Sequence, residues 1–199
     1  MAHRFGFFDV DSRELDESRR ALGYRPRVLP IVPKLERLYA LADAKGWPLV
    51  FTTCCSGRML PPEALPDTLF VPLDASDAAW RAKVGDYRRF YLAKRTCGDP
   101  KLNFNTRTFD MFQHNANARL LLQSLDVETW VVFGNGFDLC VGSAANGILG
   151  AGLPLLLIED VRVSSADGTP ASEAETLRRL RERGARTMTL EAFLKEEAT

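Results

Sequence analysis

The stretch VVFGNGFDLCVGSAANG, residues 131–147, decides how the chain folds. Its first part closes an apolar, β-branched and aromatic run, Thr129 to Phe133, which Gly134 and Gly136 then break. The small residues from Val141 to Leu149 that follow suit a close-packed helix, so the stretch reads as strand, tight turn, helix. The same alternation extends in both directions. Phe5 to Val10 reads as a buried strand ending on Asp9 and Asp11. Leu35, Leu38, Leu41 and Ala42 recur at helical spacing until Gly46, and Trp47 to Thr53 is the next strand. Leu69 to Leu73, Pro154 to Ile158 and Thr187 to Thr189 read as further strands. Helices are expected over 78–94, 117–125, 172–183 and 190–197. Strands too apolar to face water on either side predict an α/β fold, with a mainly parallel sheet covered by helices on both faces.

Composition bounds the function. The chain has 199 residues, 46% of them hydrophobic and 26% charged, which fits one soluble globular domain spanning 1–199. Lysine plus arginine equals aspartate plus glutamate at 26 each, so no net field favours nucleic acid or a membrane surface. The start, MAHRFGFFDVD, predicts neither a signal peptide nor a spanning helix, and a cytoplasmic chain is expected. Cys54, Cys55, Cys97 and Cys140 include no C-x-x-C and read as free thiols.

In open parallel sheets, ligands gather at the carboxyl ends of the strands, which singles out Asp9 with Asp11, Thr52 to Ser56, and Gly134 to Cys140. Gly134-Asn135-Gly136 between a strand and a helix could be a nucleotide cradle, with Glu159 as the ribose acid. Leu139, in place of the third glycine, argues against that reading, and no Lys-Ser or Lys-Thr supplies a P-loop. The other reading is a cysteine nucleophile. With Asp138 as N-cap, Cys140 would stand in the first turn of the helix, where unpaired N–H groups favour thiolate. The bland alternative is a small cysteine packed between helix and sheet.

Three features together resemble the isochorismatase-like cysteine hydrolase family: FFDVD, a lysine ahead of a Phe-Asp-x-Phe segment in KLNFNTRTFDMF, and GNGFDLCV. The resemblance covers most of the chain and is densest from Phe109 to about Val161. It implies a three-layer αβα, Rossmann-like fold with a six-stranded sheet, and an Asp-Lys-Cys triad that cleaves C–N bonds of small amides through an acyl-enzyme. Carried over by position, Asp9 is the general base, Lys101 the cationic partner and Cys140 the nucleophile. LNFNTRT lengthens the interval after Lys101, so Lys94 or Arg95 stands as the alternative source of charge. The family's cis peptide would fall at Asn135-Gly136, with the N–H groups of Gly136 and Cys140 forming the oxyanion hole.

Departures from the pattern narrow the substrate. The region matching the nicotinamidase metal set reads TTCCSGRM, and the histidines are His3 and His114, so no metal and no other cofactor is expected. Asp11, Cys55, Phe112 and Phe137 are candidates for contact with a small-molecule substrate, and Trp80 and Tyr87 for pocket walls. The resemblance also allows a homo-oligomer. Two other functions stay open: an isochorismatase-type vinyl-ether hydrolase using Asp9 as acid, and a non-catalytic scaffold that binds a ligand or partner.

Overall fold

A computed structural model describes residues 2–16, 21–53, 65, 67–74, 79–94 and 110–198. In chain order the regular elements are β1 (His3–Val10), β2 (Arg13–Asp16), β3 (Ala21–Tyr24), α1 (Val32–Lys45), β4 (Leu49–Thr52), β5 (Thr68–Val71) and β6 (Arg89–Leu92). They continue with α2 (Ala118–Ser124), β7 (Val127–Asn135), α3 (Gly142–Gly150), β8 (Leu155–Val163), α4 (Pro170–Glu182), β9 (Arg186–Met188) and α5 (Leu190–Ala198). Among the described residues, seven strands form one sheet in the order β5-β6-β4-β1-β7-β8-β9, and every neighbouring pair is parallel. β2 and β3 form a separate antiparallel hairpin that the sequence did not announce.

The period of two along each strand divides the core into two layers. Phe5, Phe7, Val131, Phe133, Leu156 and Ile158 face α1 and α5, packing on Leu35, Leu38 and Phe193. Phe8, Val10, Trp130, Val132, Leu155 and Leu157 face the other way, onto α2, α3 and α4. The expected three-layer arrangement is therefore present. Gly46 ends α1 with φ 65°, a left-handed cap that leaves its N–H for the carbonyl of Asp43.

The strand count differs from the expected six, and the difference lies in one segment. Residues 78–94, expected as a helix, carry a 3-10 turn over Ala79–Asp86 and then strand β6. Arg89-Phe90-Tyr91-Leu92 is short, aromatic and buried on both faces, and it lies between β4 and β5 with both as parallel partners. Such a site favours bulky β-formers and overrides the amphipathic pattern. Among the described residues, no helix is long and apolar enough to cross a membrane.

From β1 the chain moves by way of α1 to β4 on one side, and from β7 by way of α3 to β8 on the other. The crossover directions thus diverge between β1 and β7, the place where open α/β sheets form a crevice.

Candidate functional site

At this crevice β1 and β7 approach unusually closely. Val10 pairs with Gly134 on one side and Thr52 on the other. A Cβ on Gly134 would stand 2.2 Å from the Val10 carbonyl oxygen, and its φ of 127° is closed to other residues. One residue beyond Val10, Asp11 turns out of the strand with φ 54°.

That turn sends the Asp11 side chain into a fully buried polar cluster. Its Oδ1 accepts from Thr52 Oγ1 at 2.8 Å, and its Oδ2 accepts from Lys94 Nζ in an ion pair whose side chains are 0% and 6% exposed. The Cys140 thiol lies near enough to the same carboxylate to help keep it ionised. Burial alone would push the Asp11 carboxyl up. The Lys94 ammonium, with the Thr52 hydroxyl and the Cys140 thiol, outweighs it and holds the group below the ordinary carboxylate range.

Lys94 is reached two residues past the end of β6, from a strand separated from β1 only by β4. Cys140 comes from the turn after β7, a single π-type turn over Phe137–Val141 in front of α3. Gly136 starts this turn at φ 77°, and its carbonyl accepts from both Leu139 N and Val141 N. A side chain at Gly136 would meet Cys140 Sγ at 3.4 Å, so glycine leaves room for the thiol to fold back.

Several expectations change here. Asp9, expected as the base, lies on the α1 side of β1, where it accepts from Tyr39 Oη at 2.6 Å. It stands two positions before Asp11, but the left-handed turn at Asp11 breaks the alternation that would put them on one face. Burial pushes the Asp9 carboxyl up, against the lowering effect of Ser12, Tyr39 and Arg13. The Arg13 guanidinium rests 4.8 Å from the Tyr39 ring centre and 5.3 Å from that of Tyr24. Lys101 lies outside the described residues, as do Arg95, Cys54, Cys55 and Cys97. The expected cis bond at Asn135-Gly136 is trans, since the left-handed conformation of Gly136 makes the turn instead. The Gly136 N–H, expected in the oxyanion hole, donates to the Val163 carbonyl at 2.9 Å and belongs to the β7–β8 edge.

Asp138 does not cap a helix. Its carboxylate accepts from Ser165 N at 2.8 Å and from the hydroxyls of Ser165 and Ser172 at 3.0 Å each, tying the Phe137–Val141 turn to the loop before α4 and to the first turn of α4. Phe137, a candidate for substrate contact, is 0% exposed and packs in the core under the Arg162 guanidinium, 3.6 Å from the ring centre. Arg162 in turn donates to Glu173 at 2.7 Å. Phe112 is partly buried against the same core with Arg119 above its ring. Trp80 is a core residue, and Tyr87 packs against it. A cleft of about 360 Å³ lies behind the turn, between α3 and α4, lined by Asp138, Leu139, Ser143 and Arg179 among others. Cys140 is not among the residues that line it.

The residue that sequence reasoning passed over is Tyr39; Thr52 was singled out only as the start of the strand-end stretch Thr52 to Ser56, and Lys94 stood only as an alternative. Reading RFYL as a strand would have put Lys94 just beyond a strand end, the position that marks a site in this architecture.

The fold has counterparts among solved structures. An isochorismatase-like hydrolase from Alkaliphilus metalliredigens superposes with a TM-score of 0.59 at 16% identity, covering 97% of this chain and 96% of that one. The pyrazinamidase of Pyrococcus horikoshii, in complex with zinc, gives 0.59 at 16% identity over 94% and 99%. N-carbamoylsarcosine amidase from Thermoplasma acidophilum gives 0.54 at 16% identity over 94% and 96%. No family model matches the sequence, and no curated protein matches it either. The shared property at this level of identity is the fold.

Proposed function

We propose that this chain, which carries the fold of isochorismatase-like hydrolases, is a cysteine hydrolase that cleaves a C–N bond of a small amide or ureido compound through an acyl-enzyme. The observation that carries the reading is the buried Asp11 carboxylate, paired with Lys94 and close to the Cys140 thiol at the crevice between β1 and β7. In this reading Asp11 takes the role expected of Asp9, and Lys94 the role expected of Lys101.

The chemistry follows from those contacts. Asp11, ionised at neutral pH, accepts the proton from the Cys140 thiol as sulfur attacks the substrate carbonyl carbon. The resulting Asp11 carboxylic acid protonates the departing nitrogen as the C–N bond breaks, leaving a thioester on Cys140. Asp11 then takes a proton from water, whose oxygen attacks the thioester and releases the acid and the thiol. Lys94 keeps the carboxylate charged between these steps and is not itself required to give up a proton. Of the two amides expected in the oxyanion hole, that of Gly136 is already bonded to Val163, which leaves the Cys140 N–H as the proposed donor.

The reaction proposed here uses no metal ion. Among the described residues no three His, Cys, Asp or Glu side chains converge, and His3 begins β1 at the opposite end of the sheet from Asp11.

The test is intact-mass analysis of the protein after exposure to a panel of small primary amides and ureido compounds, alongside product detection. A Cys140-borne acyl adduct, lost together with turnover in Cys140→Ala, is the expected result. Unchanged turnover in Cys140→Ala overturns the proposal.

A further inference from the structure

The cluster contains a group that the reaction above does not use. Thr52 meets Asp11 twice: its carbonyl accepts from Asp11 N at 3.1 Å, and its hydroxyl donates to Asp11 Oδ1 at 2.8 Å. Both contacts bear on the one residue of β1's end that turns to φ 54°. Thr52 is itself fixed, being 4% exposed and in register with Val10 as the last residue of β4. With Oδ1 held by Thr52 and Oδ2 by Lys94, the carboxylate plane cannot rotate without breaking a buried bond.

We propose that Thr52 is a positioning residue for Asp11: its two contacts hold the carboxylate in the left-handed turn and aim it at the Cys140 thiol. The inference rests on the reading of Asp11 as the base for Cys140. A hydroxyl at this place, and not the bulk of the side chain, is what the geometry requires. Valine keeps the shape and loses the donor, whereas serine keeps the donor and loses a methyl group.

The probe is iodoacetamide, with the alkylation rate of Cys140 followed against pH by peptide mass mapping in the wild type, Thr52→Val, Thr52→Ser and Asp11→Asn. Loss of the donor raises the Asp11 pKa. The acid limb of the Thr52→Val profile therefore moves up by about half a pH unit, read as about a threefold fall in rate on that limb. Thr52→Ser stays with the wild type. If Thr52→Val does not fold, Thr52→Ala is read in its place with the same expectation. A Thr52→Val profile that overlays the wild type, or one matched by Thr52→Ser, overturns the role of Thr52. An Asp11→Asn profile identical to the wild type overturns instead the underlying pairing of Asp11 with Cys140, so the two failures are told apart.

Discussion

Replacing Lys94 by methionine removes an ammonium from a pair whose two side chains are 6% and 0% exposed, and leaves Asp11 buried without its counter-charge. Breaking a buried pair from one side costs about 3–5 kcal/mol when the remaining group stays ionised. Asp11 can limit that cost by taking a proton. In the wild type its pKa is depressed, so its contribution to stability is present above the unfolded value and is lost as pH falls through the folded value. In Lys94→Met, burial dominates and the folded pKa rises above the unfolded one. The variant then loses stability with rising pH, at about 1.4 kcal/mol per pH unit, until the folded carboxyl ionises. Urea denaturation at pH 5 and pH 8 should therefore give a gap between wild type and variant that is small at pH 5 and reaches about 3–5 kcal/mol at pH 8. The double variant Lys94→Met/Asp11→Leu should recover most of the loss, because an apolar pair replaces the orphaned charge. A loss at pH 8 below about 1 kcal/mol, or an equal loss at both pH values, refutes the burial and the pairing from which it is argued.

Asp9→Asn keeps an acceptor for the Tyr39 hydroxyl and removes a carboxyl whose folded pKa is raised. A raised pKa makes the wild type lose stability as pH climbs past the unfolded value, so the variant should gain on it between pH 5 and pH 8 in thermal melts and match it near pH 3. Gly134→Ala drives a methyl against the Val10 backbone at a φ alanine does not adopt, and should cost about 2–5 kcal/mol in chemical denaturation. Asp138→Ala frees the loop before α4 from the Phe137–Val141 turn. It should cost about 1–3 kcal/mol and slow alkylation of Cys140 by iodoacetamide, with no change at the Lys94 pair.

Much of the molecule was legible in the sequence because its strands carry their burial in their composition. Leu155 to Ile158 and Val131 to Phe133 are apolar at every position, and that pattern fits a strand covered on both faces. The turn at Gly134 to Cys140 was legible for a similar reason: glycine there answers a steric demand, since a Cβ on Gly134 would fall 2.2 Å from the Val10 carbonyl oxygen and one on Gly136 would meet the Cys140 thiol. The choice between Asp9 and Asp11 was not legible. Strand alternation puts both on the α1 side, and only the left-handed φ of Asp11, fixed by contacts from β4 and β6, turns it to the thiol. Lys94 was obscured because a four-residue buried strand leaves too short a run to outvote the helical pattern around it. Phe137 looked like a pocket residue because it stands close to Cys140 in sequence. Its burial depends on Arg162, 25 positions further on in the sequence, which closes over the ring from β8.

The central claim is that Asp11, rather than Asp9, activates Cys140. It is tested most directly by the burst of p-nitrophenol released when the protein is mixed with p-nitrophenyl acetate, followed with Asp11→Asn, Asp9→Asn and Cys140→Ala. The wild type and Asp9→Asn should each release a burst equivalent to the chain concentration, while Asp11→Asn and Cys140→Ala should release none. A full burst from Asp11→Asn, or its loss in Asp9→Asn with the fold intact, would contradict the account.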